Sequence, residues 1–273
     1  MSDYSDLISG TSGLVKYYRM SGTANYVAPV GGGSPNGNFY HSDGSYWDGG
    51  ETGAINGDSD TAYVFTSNSG YLHWFLAGVN NLSTLCNGAT AITVEFWTKH
   101  SATIAGSCGV FYLMGGTGVA PVDQFRVAYT SANGFDFFAR PDANGAAGVT
   151  LNQGSNRMVS GRWHHVAFIA DFANDTMSIY HDGSRVANST AAFTEGAYVY
   201  SLYNGGTQAS WDRFGSFSLG GASLYIDEFA LYNVALTGEQ IGYRFGLGSQ
   251  YRFEGQKRPR QVRGYYSVHH LRI

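Results

Sequence analysis

The stretch from Trp163 to Asn188 constrains the fold more than any other part of the chain. It holds three short runs, Trp163 to Asp171, Thr176 to His181 and Ser184 to Asn188, separated by Asn174-Asp175 and Asp182-Gly183. Asn, Asp and Gly reach positive φ at low cost, so such dipeptides close tight hairpins. A helix needs about 10–12 residues to bury a useful face, and none of these runs is that long. The segment therefore reads as a meander of antiparallel strands.

The same punctuation recurs elsewhere. Phe125, Val127 and Tyr129 alternate with Arg126 and Ala128. Asn133-Gly134 follows, then Phe135 to Ala139, which predicts a hairpin closed by a two-residue type I′ turn. Ile92 to Lys99 alternates apolar and polar residues through its first half. Gly13 to Met20 reads as the first strand, Tyr63 to Phe65 and Tyr71 to Trp74 as short ones, and Ser223 to Tyr232 as the last. Thr237-Gly238-Glu239-Gln240 is a capping box that opens one short helix. Residues 21–60, dense in Gly, Ser, Asn and Asp, form a long loop, and long loops in compact domains are commonly functional. There is no internal repeat.

Many short strands and a single capped helix define an all-β antiparallel sandwich of two sheets. Composition agrees: 20 Tyr and 17 Phe suit a pleated, half-buried surface, and 38 Gly suit many turns. At 273 residues the chain buries enough surface to fold without a metal or disulfide scaffold. Cys86 and Cys108 form neither a metal spacing nor a disulfide framework, and reduced thiols are expected. The organisation expected is a polar N-terminal arm at 1–12, a sandwich at 13–248 and a basic extended C-terminal arm at 249–273.

Only 13% of residues are charged, about half the usual share. The charges are also unevenly placed. Arg252, Lys257, Arg258, Arg260, Arg263 and Arg272 face Glu254 alone, so the last 24 residues carry +5 while residues 1–249 carry −9. Arginine interleaved with Tyr265 and Tyr266 can dock on an acidic neighbouring subunit, or contact phosphates and bases of a nucleic acid. No run of apolar residues is long enough to span a bilayer. The opening Met1 to Asp6 lacks a basic and an apolar region, so no secretion signal is expected and synthesis in the cytoplasm is.

Taken in order, these strands resemble the laminin G-like, concanavalin A-like lectin and glucanase family. Ala91 to Lys99 is similar to its "sFTIEFWVK" strand and Gly161 to Ala167 to its "G-x-WHHVA" strand. Met177 to Val186, with Tyr180-His181-Asp182-Gly183, resembles "LYVDG", and Tyr225 to Ile241 resembles "IDEVRIYNRALSAEEI". Gly13 to Met20 is similar to the opening "GLVAYYPF". The resemblance covers about residues 13–245 and implies a jelly-roll sandwich. It says little about function, because this fold carries lectins, adhesion modules, glycanases and viral surface proteins.

Glycanases of this fold place E-x-D-x-E on one strand, so that period-two alternation puts three carboxylates on one face. The corresponding positions here are Tyr225, Asp227 and Phe229, and Glu228 is expected on the opposite face from Asp227. The chain is therefore not expected to be an enzyme. His164 and His165, adjacent on a strand, face opposite sides and cannot chelate one ion together. Asp58, Asp60 and Asp227 fit a structural Ca²⁺ of the kind the family holds; they equally fit turn residues and a backbone-amide cap. Tyr200, Tyr203, Asn204, Trp211 and Asp212 form a candidate glycan-binding rim, with Trp47 and Trp74 as further loop aromatics. Two functions stay open. The first is a structural protein of a many-copy assembly, a virion surface or decoration protein of bacteriophage type, its subunits associating through the arms. The second is a carbohydrate-binding adhesion module.

Overall fold

A computed structural model describes residues 3–21, 26–27, 29–31, 37–38, 49–55, 58–65, 82–104, 108–115, 122–131, 133–141, 148–154, 157–189, 193, 213–216 and 222–250. Strand β1 is Leu14–Tyr18, β2 Tyr26–Val27, β3 Gly37–Asn38, β4 Gly49–Thr52 and β5 Thr61–Phe65. Then come β6 Ala91–His100, β7 Cys108–Gly115, β8 Val122–Tyr129, β9 Phe135–Ala139 and β10 Val149–Asn152. The meander is β11 His164–Asp171, β12 Thr176–His181 and β13 Ser184–Ser189, followed by β14 Arg213–Ser216 and β15 Leu224–Tyr232. Helices are α1 Asp3–Ser9, α2 Leu82–Leu85 and α3 Gly238–Gln250.

Among the described residues these strands make two main antiparallel sheets and one small pair, β2–β3. The larger runs β13-β12-β11-β6-β15-β5-β4, with β1 also on β15, and the smaller runs β10-β9-β8-β7-β14. The all-β, two-sheet expectation is met. The meander pairs as its turns predicted, and Asp182 and Gly183 both take positive φ, 48° and 78°. The β8–β9 hairpin also pairs, but its connection is longer than a two-residue turn. Thr130 N–H donates to Gly134 O, and only Asn133 of the Asn-Gly pair has positive φ.

Alternation along each strand sends one set of side chains between the sheets. Phe96, Phe111, Phe125, Phe137, Phe168 and Phe229 are fully buried there, with Phe125–Phe137 and Phe111–Phe229 ring centroids 4.8 and 4.9 Å apart. Each such ring contributes roughly 1.5–3 kcal/mol by leaving water. The other set faces outward from the larger sheet and is covered by helices. Tyr4 and Ile8 of α1 and Ile241 of α3 are buried with Trp97, Ala167, Tyr180 and Tyr232.

The N-terminal residues, expected as a polar arm, thus include a helix packed on the sheet. The sequence signal was Tyr4 and Ile8, four apart and so on one helical face. Helix α3 starts at the expected box: Thr237 Oγ1 accepts Gln240 N–H, and Gln240 Oε1 accepts Thr237 N–H. It continues to Gln250, past the expected boundary at 248. Among the described residues no helix is long and apolar enough to cross a membrane.

Candidate functional site

A β-bulge decides what the last strand carries. β15 pairs with β6 as Asp227↔Trp97 and then Ala230↔Glu95, so one extra residue sits in β15 between them. Glu228 takes φ of 52°, the left-handed region that a glutamate rarely adopts. The extra residue shifts the alternation. Asp227 faces outward beneath Ala54, Glu228 joins it there, and Phe229 turns into the inter-sheet core. The expectation that Asp227 and Glu228 face opposite ways is overturned, as is a shared face for Asp227 and Phe229.

Oxygens of Asp60, Asp227 and Glu228 now lie within 4.8 Å of one another. The β4–β5 loop closes over them. Asp227 Oδ2 accepts Ala54 N–H at 2.6 Å, and Oδ1 accepts Glu228 N–H at 2.9 Å. A side chain on Gly53 would strike both Asp60 O and Asp227 Oδ2, so glycine lets these oxygens meet. Among the described residues the cation at these acids is Arg19. Its guanidinium reaches Asp58 at 2.6 Å, Asp60 at 3.0 Å and Glu228 at 3.5 Å. Tyr17 OH donates to Glu228 Oε2.

Four carboxylates against one guanidinium leave excess negative charge in a largely buried place. Burial, then the charge on Asp60, pushes the Asp227 carboxyl well above its usual range. Burial, then Asp227, does the same to Glu228, and burial raises Asp60. A hard divalent cation would relieve that strain, and carboxylate oxygens are its preferred donors. The acids therefore fit Ca²⁺, with Glu228 in the group, while Asp58 turns to Arg19 and accepts Asp60 N–H at 3.3 Å. The amide-capping role of Asp227 and the turn roles of Asp58 and Asp60 are present as well.

A second cluster lies where the β12–β13 turn meets the start of β11. His164 Nδ1 is 2.9 Å from Asp182 Oδ2 and 2.8 Å from His181 Nε2. His181 Nδ1 contacts the Gln153 amide at 2.7 Å, and His164 Nε2 accepts Val159 N–H at 3.0 Å. Burial pulls the His181 pKa down to about 4, so the ring is neutral at pH 7. Asp182 is lowered: burial opposes its charge, but the bond and charge of His164 outweigh it. This grouping spans three chain segments, and only the register of β11 on β12 reveals it.

His165 faces the other way, as alternation requires, against Trp97 with ring centroids 5.2 Å apart. Its Nε2 is 3.3 Å from fully buried Glu95, whose other oxygen accepts Tyr232 OH at 2.5 Å and lies 3.5 Å from Arg244 of α3. Arg244 also donates to Thr11 at 2.7 Å. This network ties both terminal helices to the sheet.

The candidate glycan rim, Tyr200, Tyr203, Asn204, Trp211 and Asp212, lies outside the described residues, as do Trp47 and Trp74. So do the arm residues Arg252, Lys257, Arg258, Arg260, Arg263, Tyr265 and Tyr266.

Residues 76–242 match the sequence profile described as laminin G, concanavalin A-like lectin/glucanases superfamily. No curated protein matches the chain. Among solved structures it is similar to the binding domain of botulinum neurotoxin serotype C1, at 10% identity and a TM-score of 0.54, over 86% of this chain and 52% of that one. It is likewise similar to the binding domain of botulinum neurotoxin DC in complex with SialylT, at 11% identity and 0.55, over 86% and 51%. The Trypanosoma rangeli sialidase in complex with sialic acid aligns at 16% identity and 0.54, over 88% and 33%. The chain thus spans a third to about half the length of these proteins, and the likeness is one of fold.

Proposed function

Because the chain belongs to the concanavalin A-like lectin/glucanases superfamily, we propose that it is a non-catalytic binding sandwich for surface glycans, steadied by calcium at Asp60, Asp227 and Glu228. The bulge in β15 carries this reading. It places Phe229 in the core and holds Asp227 and Glu228 fully buried under the β4–β5 loop, with Tyr225 half-buried beside Lys99. Retaining hydrolysis needs two carboxyl groups about 5–5.5 Å apart flanking a sugar bond. A substrate cannot reach the pair that β15 provides. Two of the similar structures hold sialic acid or SialylT, which supports a glycan as the ligand class. Tyr200, Tyr203, Asn204, Trp211 and Asp212 are the residues proposed to meet it.

The test is a glycan array with the full chain, run beside a reducing-sugar assay on β-glucans. Binding that weakens in Tyr203→Ala or Trp211→Ala, without sugar release, is expected. Turnover that vanishes in Asp227→Asn would overturn the reading.

The uneven charge favours a second role compatible with the first, attachment to a many-copy assembly such as a bacteriophage-type virion surface. The +5 of the last 24 residues suits an acidic partner surface, including the −9 body of a neighbouring copy. Removing residues 251–273, beyond α3, is expected to leave the melting temperature unchanged and to abolish co-assembly. Full occupancy by the truncated chain would refute the anchor.

A further inference from the structure

We propose that His164, His181 and Asp182 form a site for one divalent transition-metal ion of the zinc class, separate from the calcium nest. The three donor atoms are His164 Nδ1, His181 Nε2 and Asp182 Oδ2. They are separated by 2.8, 2.9 and 3.8 Å. Zn²⁺ binds such atoms at about 2.0–2.1 Å in a tetrahedron, which sets its donors roughly 3.3 Å apart. The observed separations straddle that value, so small side-chain adjustments suffice. Imidazole and carboxylate suit zinc, cobalt and nickel, whereas calcium prefers oxygen alone.

The donors are held from behind. The left-handed backbone at Asp182 turns its carboxylate back across the start of β11, where Oδ1 accepts His165 N–H at 3.0 Å and leaves Oδ2 for the ion. Gln153 braces His181. Its Oε1 is buried without a hydrogen-bond partner while its nitrogen meets His181 Nδ1. Amide oxygen and nitrogen exchange places by a flip. After that flip Oε1 accepts the Nδ1–H of a ring bound through Nε2, the usual outer support of a metal-ligating histidine. The His181 ring needs no deprotonation at pH 7, since burial holds it neutral. Asp182 is partly exposed, 24% of its side chain, which leaves an entry path and a fourth position. Arg162, 58% exposed and 3.8 Å from Oδ2, can withdraw into water.

One contact opposes the ion. Val159 N–H points at His164 Nε2, which places the proton of a neutral ring on Nδ1. Metal at Nδ1 moves that proton to Nε2 and turns the amide away. Val159 is 55% exposed, so its amide can bond to water instead. The exchange lowers affinity about tenfold, the worth of one hydrogen bond, and predicts a site of moderate rather than extreme tightness.

The experiment titrates tag-free full-length protein, first stripped with chelator, with Co²⁺ while following its visible d–d absorption. One equivalent is expected, displaced by Zn²⁺ and not by excess Ca²⁺. His181→Ala, which removes a donor, and Asp182→Asn, which removes the carboxylate charge, should each weaken binding by about 100-fold or more, since disturbing even an outer partner of a ligand costs about 10–100-fold. Val159→Pro removes the opposing N–H from an exposed connection and should tighten binding up to tenfold. It keeps the test decisive should His181→Ala fail to fold. Wild-type protein that takes up no cobalt shows a purely proton-linked hydrogen-bond cluster and overturns the proposal. Uptake unchanged in His181→Ala places the ion elsewhere and does so as well.

Discussion

Replacing Arg19 by Met removes the one guanidinium from among Asp58, Asp60 and Glu228 while keeping most of the side-chain volume. The carboxylates it contacts are 9%, 3% and 0% exposed, so their charges lose their counter-ion without gaining much water. Breaking a buried ion pair from one side costs about 3–5 kcal/mol. Arg19 itself is 19% exposed, which places the loss near the lower bound, about 3 kcal/mol. For a chain of this size that corresponds to a fall in melting temperature of roughly 6 °C in the presence of chelator. Calcium should then restore more stability to the variant than it adds to the parent, because the missing positive charge no longer competes for the same carboxylates. Saturating ion at about 100 times its dissociation constant contributes roughly 2.7 kcal/mol. Differential scanning calorimetry of both proteins, in EDTA and in calcium, reads both effects. A variant that melts within about 1 °C of the parent in EDTA refutes the buried-charge argument. Equal calcium responses, or none, refute the cation nest.

Phe229→Ala should destabilise by about 3–5 kcal/mol, the range for truncating a packed core phenylalanine, and chemical denaturation will measure it. A loss below about 1 kcal/mol would mean that the bulge does not send this ring inward. Acidification should act in opposite directions: the raised carboxyls of Asp60, Asp227 and Glu228 gain stability as they take protons, while two other contributions are lost. Burial lowers the His181 pKa to about 4 and also lowers that of His100, so the unfolded chain takes these protons first and both contributions are lost as pH drops below about 6.5. Glu95 is held below 4.5: burial opposes its charge, but His165, Arg244 and Tyr232 outweigh it. Its contribution is complete above about pH 4.5 and is lost as pH falls through the folded value. Melts of parent and His100→Asn over a pH series should differ below about pH 6.5, the variant losing less stability than the parent. Thr237→Ala should cost about 1 kcal/mol by uncapping α3, visible as a small drop in melting temperature.

The strands and the meander were legible because alternation and turn dipeptides are local signals. Trp163 to Asn188 specified its own pairing, and the box at Thr237 specified where α3 begins. The bulge was not legible. Tyr225 to Tyr232 reads as unbroken strand, and a positive φ at one glutamate leaves no mark in the hydrophobic pattern. The acid cluster is therefore half legible: Asp60 and Asp227 are candidate acids from the sequence, whereas plain alternation puts Glu228 on the opposite face and the bulge brings it round. Helix α1 leaves little trace in the sequence, because Tyr4 and Ile8 give only one turn of helical spacing within a polar stretch. The His164–His181–Asp182 cluster was hidden for another reason. Its members lie 17 and 18 residues apart, and only the pairing of β11 with β12, Val166 opposite His181, brings them together.

The bulge also explains why the two faces of β15 differ so much in chemistry. One added residue, with everything after it shifted by one, moves Phe229 from the outer face to the core and leaves two acids side by side on the outside. Without the insertion, Glu228 would enter a core of phenylalanines, where an uncompensated carboxylate is untenable. With it, Glu228 finds Tyr17 and Arg19 on neighbouring β1 and just beyond it. Register, charge and packing thus depend on one another here. The left-handed strain at Glu228, about 1–3 kcal/mol, is offset by burying Phe229 and by the contacts the two acids gain. A last strand arranged in this way gives its acidic positions to holding the β4–β5 loop.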